Sequence, residues 1–203
     1  MRTLVIDTAT EACSVALFTN ETCIAGDWRM LGRGHAENLV PMIAALPEKG
    51  RAERVVVSTG PGSFTGVRVG IATARALAFA WGVETFGFPT LALVAAMARS
   101  REDAEVVAVA MTGGHGEWFV ERYQADGARS DTASLTPGQA VAACSEHLVA
   151  GSQATSLVAR RGFGQALEIW PDAREFALLP AKALQPAPVP LYGRPPDAKV
   201  PTA

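Results

Sequence analysis

Three sets of residues in this chain have the types and spacing that chemistry can use. The first is Asp7 with Thr8, Thr10 and Glu11, where a short apolar run ends in an acid and a turn begins. A carboxylate at a strand end can hold magnesium or position a water, and the same Asp-Thr pair can equally tie down a turn through its own backbone. No second acid pairs with it convincingly, which favours the turn. The second set is Gly60-Pro61-Gly62-Ser63-Phe64-Thr65-Gly66, a glycine-rich turn that leads straight into a helical pattern. It lacks the Lys of a phosphate loop, because Val67 and Arg68 follow Gly66. Its second gap is one residue too long for a dinucleotide fingerprint, and Pro61 and Thr65 stand where a nucleophile elbow needs glycine. What survives is a helix N-terminus, which can take an anion on its N–H groups or be capped by Ser63 or Thr65. On the anion reading the candidate nucleotide contacts are Asp7, Thr8, Thr10, Gly60, Gly62 and Arg68. The third set, His35, His115 and His147, contains no pair at metal-ligand spacing, since Leu39 stands four after His35. No catalytic residue and no metal ligand is assigned.

The elements that must carry these residues follow from periodicity. Thr3 to Asp7 reads as a buried strand, with strands at Ala12 to Phe18 and Thr22 to Arg29 joined by the turn Thr19-Asn20-Glu21. A helix from about Ala36 to Leu46 shows an apolar stripe of Leu39, Met42, Ile43 and Leu46. Arg54 to Ser58 is a buried strand that feeds the glycine turn and the long helix. In that helix Gly66, Gly70, Ala74 and Ala78 recur at every fourth position, so they share one face, flanked by Val67, Ile71, Leu77 and Trp81. Each glycine costs a helix about 1 kcal/mol relative to Ala. A face kept this bare against that cost is expected to meet another backbone, either a second chain or the chain's own sheet. Val83 to Phe88 and Leu91 to Arg99 add a strand and a third helix. The pattern then partly repeats: strands at Glu105 to Met111, Glu117 to Gln124 and near Ser130, a helix from Pro137 to Cys144 and a strand at His147 to Ala150. Three strands, a helix and a strand, twice over, predict an α/β protein of two related lobes with the second cut short, residues 1–100 and 101–180. The tail, residues 181–203, is rich in proline and is expected to be extended.

Bulk properties bound the function. With 203 residues, 49% hydrophobic and 19% charged, the chain has the balance of a globular domain, and a net charge of −2 supplies no basic field for nucleic acid. Three cysteines, Cys13, Cys23 and Cys144, are odd in number and lack CxxC spacing, which argues for a reducing, cytoplasmic setting. MRTLVID reads as a strand and not as a signal peptide, and no apolar stretch is long enough to span a membrane.

DTATEACSVAL, GHAENLVPMI and GPGSFTGVRVGIATARALA together resemble the bacterial TsaB family, also called YeaZ. The resemblance is close over residues 1–100, weaker through Gly116-Glu117, and returns in the tail as PLYGRPPDAK. It implies the actin-like ATPase fold (ASKHA, ribonuclease H-like), in agreement with the duplicated lobes. It also implies a non-catalytic scaffold that supports TsaD, a related catalytic protein, in making N6-threonylcarbamoyladenosine at position 37 of tRNA. The ATPase TsaE would be a further partner, a homodimer would form when TsaD is absent, and tRNA would be met mainly through the complex. No cofactor would be bound by this chain alone, with ATP or ADP entering only in the complex. The family's helices pack across its interface, which points to Leu39, Met42, Ile43, Leu46, Gly66, Val67, Gly70, Ile71, Ala74 and Ala78 as partner contacts. The metal-binding H-x-x-x-H of the catalytic relative is missing at His35–Leu39. One departure is Thr112-Gly113-Gly114-His115, where members usually carry an Asp-Ala-Arg-Arg turn. A weak actin-fold ATPase and a plain homodimeric interaction module remain as alternatives.

Overall fold

Leu4, Val5 and Ile6 are all apolar because the strand that holds them, β1 (Arg2–Asp7), is covered on both faces. Val5 joins one core while Leu4 and Ile6 join another, and β4 (Arg54–Ser58) divides its valines the same way. In this computed structural model, which describes residues 1–126 and 128–193, the first sheet is built on that pair. β2 (Ala12–Thr19) and β3 (Thr22–Met30) extend it antiparallel on one side, and β4 and β5 (Glu84–Phe88) extend it parallel on the other. The outer face of this sheet carries α1 (His35–Ala45) and α2 (Phe64–Trp81).

The second sheet repeats the plan. β6 (Val107–Thr112), β7 (Trp118–Tyr123) and β8 (Ala133–Leu135) form the antiparallel part, and β9 (Leu148–Ala150) and β10 (Gln165–Leu167) pair parallel. Its outer face carries α4 (Pro137–Ala143) and α5 (Ala154–Arg161). The second unit thus runs one helix and one strand further than its sequence pattern indicated. α5 and β10 span only 8 and 3 residues, too short to show a clear period. α3 (Thr90–Glu102) lies between the sheets, in a core that takes in the inner faces of both.

Two segments depart from the expected lobe boundaries. Residues 170–176, assigned by sequence to the second lobe, cross back onto the first sheet. There Trp28 donates its indole N–H to the Pro171 carbonyl at 3.2 Å, and the Ala173 amide donates to Ser14 Oγ at 2.9 Å. The described part of the tail is extended and docked. β11 (Gln185–Pro186) pairs antiparallel with β5, and residues 187–193 run on beside α2, while residues 194–203 lie outside the described residues.

The bare face of α2 is turned inward, which corrects its expected intermolecular role. A Cβ at Gly66 would run into the Thr8 carbonyl oxygen, and one at Gly70 would meet Thr8 Oγ1 and stand 3.3 Å from Val57 Cγ2. Ala74 and Ala78 are buried beside them. Leu39, Met42, Ile43, Leu46, Val67 and Ile71 complete the same core. All ten residues expected to meet a partner are therefore spent on seating α1 and α2 against the chain's own sheet. Periodicity reports that a backbone approaches closely, and cannot report whose backbone it is.

Candidate functional site

The turn after β1 and the turn before α2 close on each other. Asp7 Oδ1 accepts from the Ala9 amide at 3.0 Å, Thr8 Oγ1 donates to the Gly66 carbonyl at 2.7 Å, and Thr10 Oγ1 accepts from the Ala12 amide at 3.2 Å. Across the gap the Ser63 amide donates to the Ala9 carbonyl at 2.6 Å, while Ser63 Oγ caps α2 by accepting from Gly66 N–H at 3.2 Å. Gly60 exchanges hydrogen bonds with Thr90, at 2.9 Å and 3.1 Å, and takes φ +95°, where other residues are strained. Gly62 is needed for a different reason: its φ is not positive, but a Cβ there would strike the Ala9 carbonyl.

Asp7, Thr8, Thr10 and Gly60 are buried and bonded within the chain, and the bond from the Ser63 amide to the Ala9 carbonyl draws the two turns together, a packing that accounts for these residues structurally. Valine at Gly62 should push the turns apart and cost about 1–3 kcal/mol or more. A Gly62→Val melt that matches the wild type, with unchanged partner binding, would show the contact to be ordinary.

Asp7 is nonetheless unusual. It is 1% exposed, and its Oδ2 and the neighbouring Ser58 Oγ are both buried without a hydrogen-bond partner. Burial pushes the carboxyl up to about 7, and Asp172 adds in the same direction. The Ala9 amide and the nearby Ser58 hydroxyl pull it back, although Ser58 does not reach hydrogen-bond geometry. Burial also pushes the Cys13 thiol up to about 12 and Cys144 up to about 11, so neither supplies a thiolate nucleophile near neutrality. Among the described residues, no three His, Cys, Asp or Glu side chains gather where they could hold a metal ion. His35 is buried with Nε2 3.3 Å from the Ala12 carbonyl. At the divergent turn the Thr112 amide donates to Ser152 Oγ at 2.9 Å, and Gln153 Nε2 donates to Thr112 Oγ1 at 3.0 Å.

Of the candidate nucleotide contacts only Arg68 faces solvent. Its guanidinium lies 3.6 Å from the centre of the Phe64 ring and donates to the Tyr192 hydroxyl at 2.9 Å and 3.2 Å. Further along, the solvent sides of α1 and α2 are poor in charge. Val40, Pro41 and Ala44 are exposed on α1, and Ala72, Ala76, Phe79 and Ala80 on α2, with Val40 58% and Phe79 91% exposed. Sequence reasoning passed over these residues, although the solvent side of an amphipathic surface helix normally carries more charge than Glu37, Arg68 and Arg75 supply here.

The model of the family described as "TsaD: tRNA N6-adenosine threonylcarbamoyltransferase" matches residues 29–178. The chain is 37% identical, over 62% of its length, to the tRNA threonylcarbamoyladenosine biosynthesis protein TsaB of Escherichia coli. It is 34% identical, over 63% of its length, to the TsaB protein of Haemophilus influenzae. The solved structure of YeaZ from Pseudomonas aeruginosa superposes with a TM-score of 0.78 at 28% identity, covering 94% of this chain and 99% of that one. The chain belongs to the TsaB/YeaZ group of this family.

Its matches span 56% of the length of both TsaB relatives. The ethanolamine utilization protein EutJ of Carboxydothermus hydrogenoformans shares the fold alone, at 12% identity and a TM-score of 0.51. The actin-like fold anticipated from the resemblance is thus the fold of this TsaB/YeaZ member, with two sheets of like topology and the smaller one second. No helix among the described residues is long and apolar enough to cross a membrane.

Proposed function

We propose that the chain is a non-catalytic subunit of a tRNA N6-threonylcarbamoyladenosine-forming complex, and that it docks a catalytic TsaD protein on the solvent side of α1 and α2. The observation that carries the reading is the charge-poor strip of Val40, Ala44, Ala72, Ala76, Phe79 and Ala80 on a member of the TsaB/YeaZ group. Small residues there let a partner helix approach closely, and the inward stripe beneath them makes the surface rigid. The internal packing of Asp7 and Gly62 favours a subunit without ATP turnover of its own over a weak ATPase. ATP and the ATPase TsaE enter this reading only at the level of the complex, and tRNA is met chiefly there. The same strip also fits a second copy of this chain, so a homodimer is the second reading.

Co-purification with TsaD, with and without ATP, tests the proposal. We expect a stable complex that Phe79→Arg abolishes without lowering the melting temperature. A TsaD complex that tolerates Phe79→Arg and Ala76→Trp alike would move the docking face elsewhere. Steady ATP hydrolysis by the isolated chain, lost in Asp7→Ala, would overturn the non-catalytic assignment.

A further inference from the structure

A second surface lies at the N-terminal end of α2, where the tail reaches the second sheet. Residues 191–193, Pro61 and the loop 129–132 enclose a cleft of 340 Å³. Its walls are held from behind. Glu121, 0% exposed, accepts from Arg129 Nη1 at 2.7 Å and from Thr132 Oγ1 at 2.7 Å, which pins the loop. On the other wall the Leu191 amide donates to the Thr59 carbonyl at 2.7 Å. Gly193 is wedged so that a Cβ would stand 2.5 Å from the Phe119 ring and 3.2 Å from Pro61. At the rim, Tyr192 is 52% and Phe64 58% exposed, with ring centres 5.9 Å apart and the Arg68 guanidinium against both.

We propose that this cleft, with Arg68 at its rim, binds one base–ribose–phosphate unit. The Tyr192 face offers a stacking platform for a base, the commonest sequence-tolerant way of holding an unpaired nucleotide. Arg68 spends Nε and Nη2 on the Tyr192 hydroxyl, and no described residue takes Nη1, which is directed to the phosphate. The Arg129 charge is largely answered by Glu121, so attraction for an anion is concentrated at Arg68. Ser130 Oγ is taken up within the chain, accepting from the Arg122 amide and donating to the Asp131 carbonyl, so the exposed Asp131 carboxylate in the lining supplies the acceptors for ribose hydroxyls or base amino groups and turns the phosphate outward. The volume lies at the small end of ligand clefts, about 300–1,000 Å³, and suits one nucleotide rather than a duplex. The unit can come from a free nucleotide or from an unpaired position in RNA. The inference stands apart from the docking strip, which lies further along α2.

The test is a titration of the full-length chain, followed by NMR, with AMP, a single-stranded RNA hexamer and the DNA hexamer of the same sequence. We expect saturable binding that Tyr192→Ala and Arg68→Gln each weaken about tenfold, in line with the loss of one stacked base. Tyr192→Phe, which keeps the ring, should retain most of the affinity, and Phe163→Ala, remote from the cleft, all of it. Tighter binding of the RNA hexamer than of AMP assigns the unit to RNA; equal binding assigns it to the free nucleotide. No saturation by any of the three probes at millimolar concentration, or binding indifferent to both substitutions, overturns the proposal. So does a pattern in which the two variants lose TsaD while nucleotide binding is absent, since the cleft would then be a protein contact.

Discussion

Asp7→Asn should stabilise the protein at pH 8 and leave it nearly unchanged at pH 4. The carboxyl sits about 3 units above its ordinary 3.8 because burial penalises the charge. Between those values the folded chain holds a proton that the unfolded chain has released. Wild-type stability therefore falls as pH rises from about 4 to about 7, and the full cost persists above 7. One unit corresponds to 1.36 kcal/mol, so the cost is at most about 4 kcal/mol. Asn keeps an acceptor for the Ala9 amide and adds an N–H donor beside the unpartnered Ser58 Oγ, with no charge to bury. The Cys13 thiol on β2 is held up chiefly by burial and secondarily by the Asp7 charge, so it loses only the smaller of these in the variant and stays protonated across this range. Thermal melts of both proteins from pH 4 to pH 8 check this. The difference between them should grow up to about pH 7 and then level off. Parallel curves would mean that Asp7 is ionised in the folded state.

Ala74→Trp and Ala76→Trp should have opposite consequences although they lie two residues apart on one helix. Ala74 is 0% exposed in the core between α2 and the first sheet, and an indole there has no space to enter. Overpacking of this kind costs about 3 kcal/mol or more, enough to lower the melting temperature by roughly ten degrees in a chain of this size. Ala76 faces solvent on the charge-poor strip, where substitutions ordinarily change stability by no more than about 0.5 kcal/mol. Its indole should instead hold a docking helix away. Circular dichroism melts beside size-exclusion chromatography with and without TsaD separate the two effects. A folded, stable Ala74→Trp protein that no longer binds TsaD would return the bare stripe to the interface. A destabilised Ala76→Trp protein would show that the strip is part of the core.

Much of the first lobe is legible in the chain itself. The apolar run of β1, the hairpin after it, the RVVVS strand and the long helix opened by Ser63 each follow from local periodicity and turn chemistry, which act over a few residues. The family resemblance rests on the same local motifs. What the chain alone leaves open is direction and contact at a distance. The stripe of Gly66, Gly70, Ala74 and Ala78 requires a close neighbour, but only the fold makes that neighbour the Thr8 backbone and the Val57 side chain of β4 rather than a partner. The acid of Asp7 stands out in sequence, yet what raises its carboxyl to about 7 is burial in the folded chain, with a smaller push from Asp172, 165 positions away in the numbering. Likewise Tyr192 meets Arg68 only because β11 docks on β5 and carries the tail alongside α2. Sequence determined which elements form and which faces must be buried, since these follow from short-range sterics and hydrophobic period. Tertiary structure alone decided which buried face meets which backbone, because that is set by how whole sheets and helices stack, and a period carries no information about its counterpart.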